Sequence, residues 1–168
     1  MNTTITYLDL GGNKVADGIK SMSKALRSNT SITEICLQGN GIGDKGAVLI
    51  SEALQINHTL TALHLQSNDI GSDGAHAIAQ SLYFNDTLKT LSLMNHKITE
   101  DGVLSFIKLF QFNFSLTECE IDGDQAYSLD VANYVKLNQT YQLNLKMTNH
   151  WPFSHGSFSE NKRRQIEM

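Results

Sequence analysis

Residues 60–87, LTALHLQSNDIGSDGAHAIAQSLYFNDT, carry a pattern that recurs on both sides at a fixed spacing. Gly74 has counterparts at Gly18, Gly46 and Gly102, and Asn85 at Asn29, Asn57 and Asn113, each 28 residues from the next. Leu82 follows the same period as Leu26, Leu54 and Phe110, and Leu60 falls in line with Ile32, Leu88 and Leu116. Self-similarity at this period signals a stack of supersecondary units that share a continuous interior, not a globule with one closed core.

Within each unit the apolar residues change period. Ile5/Leu8/Leu10, Ile32/Ile35/Leu37, Leu60/Leu63/Leu65, Leu88/Leu91/Leu93 and Leu116/Cys119/Ile121 each end in an alternation that marks a short strand. After it come Asn13, Asn40 and Asn68, then the departures His96 and Asp124. An asparagine there can satisfy backbone groups of its own turn and the next, so the departures predict a looser ladder toward the C-terminus. An apolar residue (Val15, Ile42, Ile70, Ile98) then leads to an Asp and the periodic Gly. The Asp is expected to cap a helix and the Gly to allow close backbone approach.

The following stretch has i, i+3, i+4, i+7 apolar spacing, as in Ala75/Ile78/Ala79/Leu82, which places one stripe of a helix against the sheet. The closing asparagines are expected to end these helices in the left-handed conformation.

The pattern LxxLxLxxNxI, an Asp/Gly turn and a helix closing on LxxN resembles the leucine-rich repeat of the ribonuclease-inhibitor type, over about residues 5–147. The resemblance implies an α/β solenoid, a curved strip with a parallel β-sheet on the concave face and α-helices on the convex face. It also implies that framework residues fill the consensus while binding residues fall between its positions. Proteins with this repeat include inhibitors, innate sensors and effectors delivered by intracellular bacteria, so a protein-interaction module is the leading expectation. Regulation of a small GTPase, as in the Ran GTPase-activating proteins, is a second, although no residue here matches their functional positions. A purely structural, self-associating repeat fragment is a third.

The domain reading is a repeat domain over 1–147 and a polar tail over 148–168. The repeat domain holds about five units, the last degenerate, with Asp130 at the glycine position and Asn138 three residues early. A final strand is expected around Leu143, Leu145 and Met147, with disorder past Phe158. A fold-back of Trp151 and Phe153 over the last unit as a lid is the alternative to a free tail. The first strand begins near residue 5 with no capping segment before it. That edge is expected to be covered by a parent chain or by a second copy.

Charge and composition narrow the function classes. Thirteen Lys and Arg against seventeen Asp and Glu give a formal net charge of −4, which predicts neither nucleic-acid nor membrane binding. Cys36 and Cys119 fall on strands three units apart, roughly 14 Å at about 4.8 Å per strand, too far for a disulfide. Unbridged thiols and an N-terminus without a signal pattern predict a cytoplasmic location, which for a delivered effector is the host cytosol.

Three motifs resolve into the repeat. GIGDKG (41–46) fits a dinucleotide fingerprint, yet Ile42, Asp44 and Gly46 occupy columns that the other repeats also fill without the remaining glycines. Five of the six N-x-S/T tripeptides use Asn29, Asn57, Asn85, Asn113 or Asn138, the repeat's own closing asparagines, and the sixth uses Asn2. The six histidines lack paired zinc spacing, and no serine sits in a glycine-flanked elbow with a His and an acid. No catalytic residue, metal or cofactor is expected, and the chain is read as a non-enzyme.

The strand positions that point outward are the candidate protein-binding residues. They are Tyr7, Glu34 and Glu118 in one column, Asp9, Cys36, His64, Ser92 and Glu120 in a second, and Gln38, Gln66, Met94 and Asp122 in a third. Tyr and Met commonly anchor interfaces. An ordinary solvated face also accounts for this alternation, and the partner's identity is not encoded in it. Lys20, Lys24 and Arg27 place a basic stripe on the first helix.

Overall fold

The computed structural model describes residues 2–122 and 125–148, with backbone alone for 125–128, 141 and 144–148. Five strands, β1 (Tyr7–Asp9), β2 (Glu34–Cys36), β3 (Ala62–His64), β4 (Thr90–Leu93) and β5 (Glu118–Ile121), form one parallel sheet in chain order. Helices α1 (Ile19–Ser28), α2 (Gly43–Leu54), α3 (Ser72–Leu82), α4 (Glu100–Phe110) and α5 (Gln125–Thr148) alternate with them, each packed on its sequence neighbour. Strands sit about 4.8 Å apart while helices need about 8–10 Å, so the sheet lines the concave side and the helices the convex side. The fold is the expected α/β repeat solenoid.

The register follows the period. Ile35 pairs with Leu8 and Leu63, and Leu63 with Leu91, which puts one column of apolar side chains under the sheet. Ile35, Leu37, Leu63, Leu65, Leu91 and Leu93 are fully buried, as are Ile50, Ile78 and Phe106 from the helices facing them. Each such burial is worth about 1.5–3 kcal/mol, and each depends on the adjacent unit being present.

The periodic glycines mark where one unit meets the next. A Cβ on Gly74 would stand 2.6 Å from Asp44 Oδ1, 2.7 Å from Ile70 Cγ2 and 2.9 Å from Ala47 Cβ. At Gly18 the same test meets nothing within 4 Å. The first unit presents an open edge among the described residues, with Ile5 exposed and Leu8 and Leu10 half-buried where their counterparts are buried.

Asparagines stitch the units twice over. Asn68 Nδ2 donates to the carbonyls of Leu37 and Leu65 at 2.8 Å each, and its Oδ1 accepts the Asn40 amide at 2.8 Å. Among the closing asparagines, Asn85 Nδ2 donates to Leu54 O and Asn57 O while Oδ1 accepts the amides of Thr87 and Leu88. Asn57, Asn113 and Asn138 continue this column, and Asn2 Oδ1 accepts the amides of Thr4 and Ile5 in the same way. Asn57, Asn85, Asn113 and Asn138 are buried with Nδ2 engaged, which leaves no accessible amide for glycan attachment.

Three expectations need correction. The closing asparagines are not left-handed; Asn29, for one, is extended at φ −79°, ψ 131°, and works by hydrogen bonding. The helix N-caps of α1 to α4 are Gly18, Ile42, Gly71 and Thr99, with no side-chain cap bond, so the Asp residues are not caps of their own helices. Asp44 Oδ1 instead accepts the amides of Gly71 (2.7 Å) and Gly74 (2.9 Å), capping the helix of the next unit.

The ladder thins at His96, as expected, without breaking: each ring nitrogen makes one bond, where Asn68 accepts two amides and donates to Leu37 O, Leu65 O and Gln66 O. His96 Nδ1 accepts the Ile70 amide at 3.1 Å, and Nε2 lies 2.8 Å from Leu65 O, so a neutral imidazole spans the places an Asn fills elsewhere.

The third correction is at the C-terminal end, where residues 143–147 are helical and no terminal strand forms. No Gly or Pro interrupts 125–148, so nothing stops the helix after Asn138. The helix then substitutes for a sixth unit. Asn138 Nδ2 donates to Asn113 O and Leu116 O, Gln139 to Thr117 O and Gln142 to Phe114 O. Thr117 O stands where a further strand would otherwise bind, as Thr61 O accepts the amides of Lys89 and Thr90. Asp124 and the tail readings, including Trp151, Phe153 and the stretch past Phe158, lie outside the described residues.

Candidate protein-binding face

The strands bring the outward positions into the expected rows. Tyr7, Glu34, Ala62, Thr90 and Glu118 are register partners in sequence, as are Asp9, Cys36, His64, Ser92 and Glu120. The third column lies just past the strand ends. There Gly12 and Gly39 donate to Gln38 O and Gln66 O, and Ser67 to Met94 O.

These side chains differ in what they offer a partner. Tyr7 (54% exposed) and Met94 (37% exposed) stand out as apolar contact groups, and Asp9, Gln38, Glu118 and Glu120 are exposed as well. Neighbouring carboxylates, Asp9 foremost, hold the Tyr7 phenol above its usual range and keep it a neutral donor. Glu34, Cys36, His64, Gln66 and Asp122 are half-buried.

Ser92 is only 2% exposed, which removes it from direct contact. Its hydroxyl donates to Glu120 Oε2 at 2.8 Å, as Thr90 does to Glu118 Oε2 at 2.9 Å, so β4 orients the acids of β5. Asp122 Oδ2 accepts the His96 amide at 2.8 Å, the place taken by Asn Oδ1 in earlier turns, and so belongs partly to the frame. His64 Nε2 lies 3.3 Å from Glu34 Oε1 across adjacent strands.

No Lys or Arg falls in the three columns, and five carboxylates do, so the face is acidic. At its N-terminal end Asp9, Gly11, Gly12, Cys36, Gln38 and Gly39 line a hollow of about 280 Å³. Both cysteines are free. Cys119 faces the core side of β5, where burial first and Glu120 second push its thiol up to about 12, leaving it unreactive.

Among the described residues no group of three or more His, Cys, Asp or Glu could hold a metal ion, and no helix is long and apolar enough to cross a membrane. In the GIGDKG turn, Gly41 (φ 65°) shares its left-handed position with Lys14 (φ 54°) and Asp69 (φ 55°) in the flanking units. The left-handed position at Gly41 is therefore repeat geometry that does not depend on glycine. Sequence reasoning missed the cross-unit role of Asp44, although its offset of two from Gly46 was a visible departure. It also missed the exposed Ile56 and Phe84, each of which precedes a closing Asn.

Comparison with known proteins agrees with this architecture. Leiomodin-1 actin-binding site 2 is similar in structure, with a TM-score of 0.81 and 24% identity over 88% of each chain. The tropomodulin C-terminal domain of Caenorhabditis elegans has a TM-score of 0.73 and 15% identity, covering 89% of this chain and 92% of that one. At these identities the likeness is one of fold. No curated protein sequence matches the chain significantly. The sequence profile described as "Leucine Rich repeat" matches residues 2–19, 28–51, 57–79 and 84–106, more than half of the chain and one match on each of its first four strand–helix units. The chain belongs to the leucine-rich repeat family.

Proposed function

We propose that the chain is a non-enzymatic protein-interaction module whose contact surface is the concave face of the sheet. The observation that carries this reading is the in-register display of Tyr7, Met94 and oriented carboxylates on side chains that the stitching of the solenoid does not use. Without Lys or Arg in its columns, the face favours a partner rich in basic groups or hydrogen-bond donors, which the carboxylates attract over distance. Five strands at about 4.8 Å give a sheet only about 20 Å wide, so the partner contributes a short segment or a small domain face. Free cysteines suit a reducing, cytoplasmic setting.

One solved structure similar to this chain is an actin-binding site of leiomodin-1, which makes actin the first partner to test. Cosedimentation with filamentous actin and pull-down from cytosol would be run with wild type and a Tyr7→Ala, Met94→Ala double variant. Loss of a specific partner in the double variant supports the concave face. Equal recovery by both proteins contradicts it.

A second reading, self-association through the first unit, is favoured by the empty space at Gly18 and the exposed Ile5. Sedimentation velocity across a hundredfold range of concentration tests it, and a constant monomer mass discards it.

A further inference from the structure

Lys20, Ser23, Lys24 and Arg27 are spaced i, i+3, i+4 and i+7 and therefore share one face of α1. With Leu49 and Glu52 of α2 they line a groove of about 340 Å³ between the two helices, away from the concave face. Ser23 is 4% exposed, and its Oγ has no hydrogen-bond partner among the described residues. Its counterpart one unit later, Ser51, is equally buried but donates to Val48 O at 2.7 Å. A buried hydroxyl without a partner is costly, so an unspent donor in a groove points to a ligand.

The charges point the same way. Lys20, Lys24 and Arg27 are exposed and make no ion pair within 4 Å among the described residues. Like charges three and four residues apart repel, and an anion between them relieves this. Glu52 opposes them on the far wall and leaves the groove with a net charge of about +2.

We propose that the α1–α2 groove binds a phosphate monoester carried on a side chain of a protein partner. A phosphate dianion presents three strong acceptor oxygens to a guanidinium fork, two ammonium groups and a hydroxyl, whereas a carboxylate would leave several of these donors unmet. Leu49 supplies apolar contact for the methylene of a phosphoserine or the methyl of a phosphothreonine. A protein source is favoured over a bilayer because the formal charge of −4 opposes adsorption to an anionic membrane, and a recessed groove admits one side chain more readily than a plane of headgroups. This site is separate from the concave face and stands or falls independently of it.

The test is an NMR titration of the full chain with acetyl-Gly-phosphoSer-Gly-amide, its unphosphorylated twin, and vesicles of phosphatidylcholine containing phosphatidylinositol 4-phosphate. The phosphopeptide is expected to shift the amides of 20–27 and 49–52 saturably while the twin does not. Ser23→Ala should weaken binding about tenfold, Lys24→Ala with Arg27→Ala should abolish it, and Glu52→Gln should tighten it. Ala79 occupies the same helical column as Ser23 two units on, so Ser23→Ala preserves the fold, and its amide spectrum verifies this. The proposal is overturned by no saturable shift with the phosphopeptide, by unchanged affinity in Ser23→Ala, or by binding to vesicles alone.

Discussion

Asn68 Oδ1 accepts the backbone amide of Asn40, 28 residues earlier, at 2.8 Å, and Asn68 itself is wholly buried. One side chain thus joins two turns that would otherwise bury unsatisfied amides, and the arrangement repeats along the stack. Stability in such a chain is a sum of units and of the interfaces between them.

Removing a ladder side chain should therefore strand several groups at once. Asn85→Ala leaves the carbonyls of Leu54 and Asn57 and the amides of Thr87 and Leu88 without their partner. A loss of about 3–5 kcal/mol is expected in urea unfolding. Asn13→Ala, at an exposed side chain bonded through Nδ2 only to Gly11 O, should cost under about 1 kcal/mol.

His96 should make the stack sensitive to acid. Burial, the leading cause, pushes it below its ordinary 6.5, against the opposing pull of Leu65 O, Asp122 and Asp69. The unfolded chain then binds the proton more readily than the folded one. This contribution is complete above pH 6.5 and declines as pH falls toward the depressed value. Melting temperatures between pH 7.5 and 5 should fall, and His96→Asn, which restores the residue found at positions 40 and 68, should flatten the decline. An unchanged slope in the variant would remove His96 from the account.

Asp44 should act on a helix other than its own. Asp44→Ala deprives the amides of Gly71 and Gly74 of their acceptor and should cost about 1–2 kcal/mol, while Asp44→Asn, which keeps a carbonyl oxygen, should cost less. Hydrogen exchange should quicken first at residues 71–75, at the start of α3, and not in α2.

The periodic glycines should differ in their tolerance. Gly74→Ala forces a methyl against Asp44, Ile70 and Ala47 and should cost about 1–3 kcal/mol by urea unfolding. Gly18→Ala meets open space and should change stability by less than about 0.5 kcal/mol.

Much of this was legible because the period fixes register. Once Leu8, Ile35, Leu63 and Leu91 align by spacing, the outward rows around Tyr7 and His64 follow without further information. What spacing cannot supply is which partner a polar side chain chooses. Asp44 and Ser72 reach forward into the next unit, since Ser72 Oγ accepts the Thr99 amide at 3.0 Å, and that choice depends on helix packing. His96 read as a departure because its letter differs, although its two nitrogens reproduce the donor and acceptor of an amide. Leu143, Leu145 and Met147 alternate like a strand, but the absence of a breaker after Asn138 was the stronger signal. Ser92 lay in an outward row, and its burial under Glu120 could not be read from alternation alone.

The functional account rests on which side of the strip meets its partner. Hydrogen exchange on the free and partner-bound chain measures this residue by residue. New protection at 7–11, 34–38, 62–66, 90–94 and 118–122 is the predicted result. Protection confined to α1 through α5, with the strand rows unchanged, would contradict it.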